Sequence, residues 1–492
     1  MPARKTRRAA LLALTLLLAV AVPVRAGTPP PLTVVEINPG ADSSYAMDTS
    51  TSVALDGYLY FQAYDGTHGD ELWRTNGTTT ALVQDIRSGA DSSSPYDFTA
   101  LGDWLYFQAY DDTHGHELWR TNGTTTELVE DIRGGAAGSF PYGFTALGDW
   151  LYFQANDGTH GTELWRTDGT TTALVQDIWS GADGSYPDYF TALGDWLYFQ
   201  ADDGTHGTEL WRTNGTTTEL VEDIRGGADG SSPYYFTALG DWLYFRATDG
   251  THGYELWRTN GTTTALVQDI RGGADGSYPD YFTAFGDWLY FQAYDDTHRD
   301  ELWRTDGTTT ELVEDIRGGA DSSYPRGFTA LGDWLYFQAN DGTHGTELWR
   351  TDGTTTALVQ DIRGGADSSY PYYFTALGDW LYFQAYDDTH GNQLRRTDGT
   401  TTERVPFPTA GEQISCDCYD TNITAVGGRL YTTVYSDLIG YEFAYLDEPT
   451  YDLPSTNTNG TSWSEILVIT AALTAAAGVT LRVRTRGRSA HR

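Results

Sequence analysis

Residues 144–178 read FTALGDWLYFQANDGTHGTELWRTDGTTTALVQDI, and this stretch decides the fold. Strand-forming residues gather in four short runs, each closed by turn chemistry. The first, Phe144 to Leu147, ends at Gly148 and Asp149. The second, Trp150 to Ala155, is apolar at successive positions, as expected of a strand covered on both faces. A glycine-rich loop, Asp157 to Gly161, leads to the third run, Glu163 to Thr167. Asp168 and Gly169, a pair that accepts positive φ, then predict a hairpin into the fourth, Thr172 to Ile178. No helical period interrupts the series.

The unit recurs along the chain. Its tryptophan returns as Trp73, Trp119, Trp165, Trp211, Trp257, Trp303 and Trp349, always at an interval of 46 residues. An eighth copy decays to Gln393, Leu394, Arg395 and Arg396, and a ninth, more distant, surrounds Tyr441, Glu442 and Phe443. Four strands in a period of this length predict the blade of a β-propeller. The two ends of the array are broken in complementary ways. Thr33 to Ile37 matches the fourth strand at Ala357 to Ile362, whereas the ninth unit has no clear fourth strand. The fragments sum to one blade. The expectation is an all-β propeller of nine four-stranded blades over residues 33–447, the last closed by the N-terminal strand. Closure of this kind hides both sheet edges. Nine exceeds the usual range of roughly four to eight blades, and an open β-solenoid is the alternative.

The formal net charge is −38, and both termini are basic, so the repeats are more acidic still. Such a surface repels nucleic acid and anionic lipid, and nucleic acid is excluded as a partner. The repeats contain no cysteine. The only two, Cys416 and Cys418, allow a local disulfide or two free thiols, so disulfides do not hold the fold.

The ends predict where the protein goes. Residues 1–26 have the pattern of a secretory signal peptide: Arg4, Lys5, Arg7 and Arg8, an apolar run, then Val24, Arg25 and Ala26. A proline-rich lead-in follows over 27–32. Beyond the repeats comes a linker, 448–465, containing Leu453, Pro454, Ser455, Thr456 and Asn457. An apolar segment, 466–481, predicts a C-terminal helix outside the propeller, and 482–492 is a basic tail that stays cytoplasmic by the positive-inside rule. This order resembles the cell-wall sorting signal of Gram-positive surface proteins, with Asn457 where that signal has glycine. The resemblance implies a sortase as partner, cutting after Thr456; the alternative is a retained membrane anchor. Either way the propeller is expected at the outer cell surface.

The recurring Glu-Leu-Trp-Arg-Thr-Asp/Asn-Gly-Thr resembles the bacterial ELWxxDGT repeat family over residues 33–447. The resemblance implies a propeller-like protein of secreted or surface origin and brings no catalytic residues with it.

Candidate chemistry is periodic as well. Asp65, Asp111, Asp157, Asp203, Asp249, Asp295, Asp341 and Asp387 each precede a histidine by three residues, His68 through His390. Aspartates in tight loops are candidate calcium ligands, although ordinary turn chemistry explains the same pattern. The glutamate of the third strand and the arginine after the fourth are expected to pair within or between blades. Tyrosine-rich loops such as Tyr370, Pro371, Tyr372 and Tyr373 are candidates for stacking on sugars or for packing between blades. The repeat is broken at His116, Trp179, Arg246, Arg299, Arg326, Arg395, Cys416 and Cys418, which form no nucleophile–base pair or metal triad. Identical blades favour many equal contacts over one active site. The expected function is a non-catalytic, multivalent binding or adhesion module for an extracellular glycan or protein, without a cofactor. A polysaccharide hydrolase or lyase and a structural coat component are the alternatives.

Overall fold

In the computed structural model the described residues are 29–40, 42–46, 52–406, 423–436 and 439–447. They form nine four-stranded antiparallel sheets and no helix. The signal peptide, the cysteines Cys416 and Cys418, the sorting residues Leu453, Pro454, Thr456 and Asn457, the apolar segment and the basic tail all lie outside the described residues. Residues 449–492 separate as a second unit, all of it outside the described residues.

The third blade is typical. Its strands are Tyr142–Leu147, Trp150–Asn156, Thr162–Thr167 and Thr172–Gln176, paired in chain order. Leu151, Phe153 and Ala155 on one face and Tyr152 on the other are buried, so the second strand is covered on both faces, as its composition predicts. First strands of neighbouring blades lie side by side, which makes them the inner wall of the ring.

The ring closes through the composite blade. Thr33–Val35 pairs antiparallel with Gly440–Asp447 and forms the outer strand of a sheet completed by Arg429–Ser436 and Ile423–Val426. Nine hydrophobic clusters fill nine interfaces between blades. One of them joins Tyr431 and Phe443 of the ninth blade to Leu59 and Phe61 of the first. Phe61 and Phe443 stack at 5.1 Å between centroids. A solenoid has no such contact between its ends.

The glutamate of each third strand corrects the expected ion pair with arginine. Glu163 is fully buried and faces no cation. Its carboxylate accepts hydrogen bonds from the backbone N–H of Ile178 at 3.0 Å and Ser185 at 2.8 Å, and from the Ser185 hydroxyl at 2.6 Å. It thereby fastens the third strand to the chain that leaves the fourth strand for the next blade. The physical reason is that this crossing chain brings donors into a buried corner where arginine would need its own partner. Glu442 repeats the arrangement across the whole length of the chain, accepting from the backbone N–H of Ile37 at 2.9 Å and Asn38 at 3.2 Å.

On the opposite face a second contact links neighbours. Arg120 lies over Trp104, 4.1 Å from its ring centroid, and donates to Glu127. Its guanidinium and the Tyr106 hydroxyl fill the space where a side chain at Gly169, in the next blade's hairpin, would sit. Gly169 has φ of +82°, so both conformation and space require glycine there.

Glu163→Ala removes the acceptor of at least three buried donors and is expected to cost about 2–4 kcal/mol. Glu442→Ala is expected to cost as much and also to release the N-terminal strand. Urea unfolding followed by tryptophan fluorescence measures the first. Limited proteolysis near residues 29–46, faster in Glu442→Ala than in Glu163→Ala, measures the second.

Candidate functional site

The loops that join second to third strands and the chains that join blades lie at the same end of the ring. A side chain at Gly161 would strike the backbone of Asp183 and Gly184. This end, the top face, carries the periodic residues that the sequence singled out.

The aspartate–histidine loops form closed clasps. Asp157 Oδ1 accepts the backbone N–H of Thr159 and His160, each at 2.8 Å, and Oδ2 meets His160 Nδ1 at 2.7 Å. The other seven loops repeat the clasp, from Asp65–His68 at 2.7 Å to Asp387–His390 at 3.0 Å. A cation there would have to displace these donors. Among the described residues no group of three or more histidine, cysteine, aspartate or glutamate side chains is placed to hold a metal. Partial burial opposes the Asp65 charge, but the hydrogen bonds from the His68 side chain and backbone outweigh it and hold its pKa below the usual value. The same bond to Asp65 raises the His68 pKa.

The arginine after the fourth strand pairs between blades, but with aspartate. Arg87, Arg271 and Arg363 donate through Nε to Asp112, Asp296 and Asp388 of the following blade at 2.9–3.0 Å. Trp179 replaces this arginine once and packs over Gly204 instead.

The tyrosines separate into two rows. One row directly follows the serine held by the buried glutamate. Phe140, Tyr186, Tyr278, Tyr324 and Tyr370 adopt φ between 47° and 52° there. Left-handed backbone is rare for an aromatic residue and costs about 1–2 kcal/mol. The clamped serine on one side and a proline on the other fix the backbone, and the ring is turned outward. The second row begins the inner strands. Tyr189, Tyr235, Tyr281 and Tyr373 also have positive φ, at a bulge where register shifts against the second strand. Every large hydrophobic side chain that is exposed among the described residues lies on the chains and strand starts of this face, with Tyr186 at 64% and Tyr324 at 55%. Most of these rings are therefore not consumed by packing between blades. No local sequence signal marked which tyrosines would be exposed; the positive φ arises from the distant glutamate.

Acidic groups also reach the inner mouth. Burial raises the pKa of Asp97, Asp188 and Asp280. Each is used locally: Asp97 accepts from Gly143 N–H at 2.6 Å, and Asp188 and Asp280 accept from the N–H of the residue that follows.

Between the seventh and eighth blades a cavity of about 880 Å³ is lined by Tyr281, Arg326, Gly327, Gln338, Arg363, Ser368, Tyr370, Tyr372, Tyr373, Tyr386 and Asn392. Of the departures noted in the sequence, only Arg326 lies in it. Arg246 instead sits beneath Tyr234 and Tyr235, 4.1 and 4.9 Å from their centroids. Arg395 pairs with Asp387.

No family model matches the sequence, and no curated protein matches it. Solved structures match as folds. A prolyl endopeptidase aligns with TM-score 0.38 at 12% identity over 70% of this chain and 54% of its own. A puromycin-hydrolysing peptidase of Mycobacterium tuberculosis aligns with TM-score 0.39 at 12% identity over 87% of this chain and 64% of its own. A GH74 xyloglucanase from Xanthomonas campestris aligns with TM-score 0.34 at 14% identity, over 82% and 65% respectively. The chain thus spans between about half and two thirds of each, and the likeness is one of fold alone.

The titrations set a pH dependence. Burial raises the pKa of the clamped glutamates, to about 7 in Glu255, Glu301 and Glu442, against the pull of their hydrogen bonds. The folded state therefore holds more protons than the unfolded one between about pH 4.5 and 7, and stability falls as pH rises through that window. The raised histidines act in the same sense: their contribution is present below their unfolded pKa of 6.5 and lost above the folded one. Lowered aspartates oppose this only as pH falls below 3.8. The thermal midpoint is expected to be several degrees higher at pH 5.5 than at pH 8.0, by calorimetry at constant ionic strength. An equal or lower midpoint at pH 5.5 contradicts the assignment.

Proposed function

We propose that this chain is a surface-attached, multivalent glycan-binding propeller whose top face makes the contacts. The observation that carries the reading is that, among the described residues, every exposed large aromatic side chain lies on one face. The glutamate anchor sets the backbone at these positions, and the rings it turns outward are left unused by the core. Flat, amphipathic tyrosine rings stack on the C–H faces of sugars and keep the hydroxyl for hydrogen bonding. Repetition around a ring supports many weak equal contacts, which linked sites convert into avidity. The acidic surface directs the face away from nucleic acid. Attachment through the C-terminal end, either by a sortase cutting after Thr456 or by a retained apolar segment, would hold the propeller at the outer cell surface; the support for this is the order of motifs in the sequence. The ELWxxDGT resemblance supports the same surface placement.

The test is retention of the full chain on immobilised polysaccharides. Replacing Tyr186, Tyr278 and Tyr324 together by alanine is expected to reduce retention at least tenfold, at about 0.5–1.5 kcal/mol per ring. The thermal midpoint should move by no more than a few degrees, since these rings are exposed. Unchanged retention in the triple variant, or no retention by the parent chain on any polysaccharide, overturns the reading.

A further inference from the structure

We infer that the cavity between the seventh and eighth blades is a dedicated subsite for a carboxylate-bearing sugar, a uronic acid unit within a polysaccharide; this rests on the glycan-binding reading above. One lining residue, Arg326, departs from the repeat, and beside it stands Gly327, a glycine that recurs at this position as Gly143 in the third blade. Where Arg326 stands, the other described blades have Tyr96, Tyr142, Asp188, Tyr234, Asp280 or Tyr372. Where Gly327 stands, the second and third blades have Asp97 and Gly143, whereas four blades carry a tyrosine, Tyr189, Tyr235, Tyr281 and Tyr373, all at positive φ. The missing ring leaves open space bounded by Tyr281 on one side and Tyr373 on the other.

The charge in that space is positive, in a chain of net charge −38. The second arginine of the cavity, Arg363, is neutralised by Asp388 at 2.9 Å and lies over the Tyr386 ring. Arg326 has no carboxylate within ion-pairing distance among the described residues. With the Gln338 amide flipped end for end, the orientation in which both of its ends are satisfied, its nitrogen donates to the Pro371 carbonyl at 3.1 Å and its oxygen accepts from Arg326 Nε. That bond orients the guanidinium and leaves its other nitrogens for a ligand. Two parallel N–H donors in a plane match a carboxylate in bidentate geometry. Tyrosine faces beside it match sugar C–H surfaces, and Asn392 and Ser368 supply hydroxyl partners. The volume, about 880 Å³, lies within the roughly 300–1,000 Å³ of small-ligand sites.

The experiment uses the full chain, tetragalacturonate, and the same oligosaccharide fully methyl-esterified, titrated at about 0.15 M salt to screen the acidic surface. Two variants use residues that the repeat already tolerates at these positions. Arg326→Asp copies Asp280, and Gly327→Tyr copies Tyr281. The parent chain is expected to bind the acid at least tenfold more tightly than the ester. Arg326→Asp should abolish that preference while changing ester binding less than threefold. Gly327→Tyr should weaken both ligands by filling the cavity. An acid preference that survives Arg326→Asp overturns the subsite assignment. So does binding of the ester or of other neutral glycans without preference for the acid, which leaves the glycan-binding reading standing. Failure of every glycan, charged or neutral, overturns both.

Discussion

The buried carboxylate of the third strand is the contact on which the ring depends. The chain passes from one four-stranded blade to the next by a segment crossing from the outer edge of one sheet to the inner edge of the next. That segment contains glycine, serine and proline and little apolar surface. Without an anchor it would be a loose loop beneath the next blade. Glu163 gives it one, gathering two backbone N–H groups and a hydroxyl into one corner at 0% exposure. The same device holds the N-terminal strand to the ninth blade through Glu442, so ring closure uses the chemistry of the joints that leave the first seven blades. The eighth blade has Gln393 instead, and its amide donates to the carbonyls of His390 and Asn392.

The anchor also shapes the surface. Fixing Ser185 fixes the backbone of Tyr186 in the left-handed region and turns its ring outward. A buried acid thereby sets the position of an exposed aromatic residue. On the opposite face the arginine of the third strand does comparable work between neighbours, stacked on tryptophan and closing over the next blade's glycine hairpin. Half of these arginines also meet a glutamate of their own blade. Arg120, Arg212, Arg304 and Arg396 pair with Glu127, Glu219, Glu311 and Glu403. The alternate blades have Ala81, Ala173, Ala265 and Ala357 at that position. Two kinds of blade therefore alternate around the ring, while the stacking on the aromatic ring is common to both.

The fold was legible because its signals are local and repeated. Period, turn residues and the two complementary ends define nine blades and their closure. The site was legible only in part. The loop aspartates and the tyrosine pairs were visible as patterns, but their partners were not. Glu163 looked like the partner of an arginine because both are charged and periodic; its true donors are backbone groups, which no sequence displays. The cavity was harder still. Arg326 stood out as a departure from the repeat, whereas Gly327 passed as one more glycine, although its missing side chain opens the space.

On the glycan-binding proposal, a ring of near-identical blades gives avidity but no direction, since its interfaces offer largely the same groups. Direction requires one interface to differ without weakening the ring. Arg326 and Gly327 meet that condition because they lie on the inner strand at the top face, outside both the glutamate anchor and the arginine–glycine contact. Gly327 has the positive φ that the repeat already demands there, and the hydrophobic cluster between the seventh and eighth blades is built from other residues, Tyr336, Leu348, Leu381 and Phe383 among them. Stability and the proposed recognition are thus assigned to separate layers of the same blade. The buried layer is held constant by the anchors, and the rim is free to vary from blade to blade.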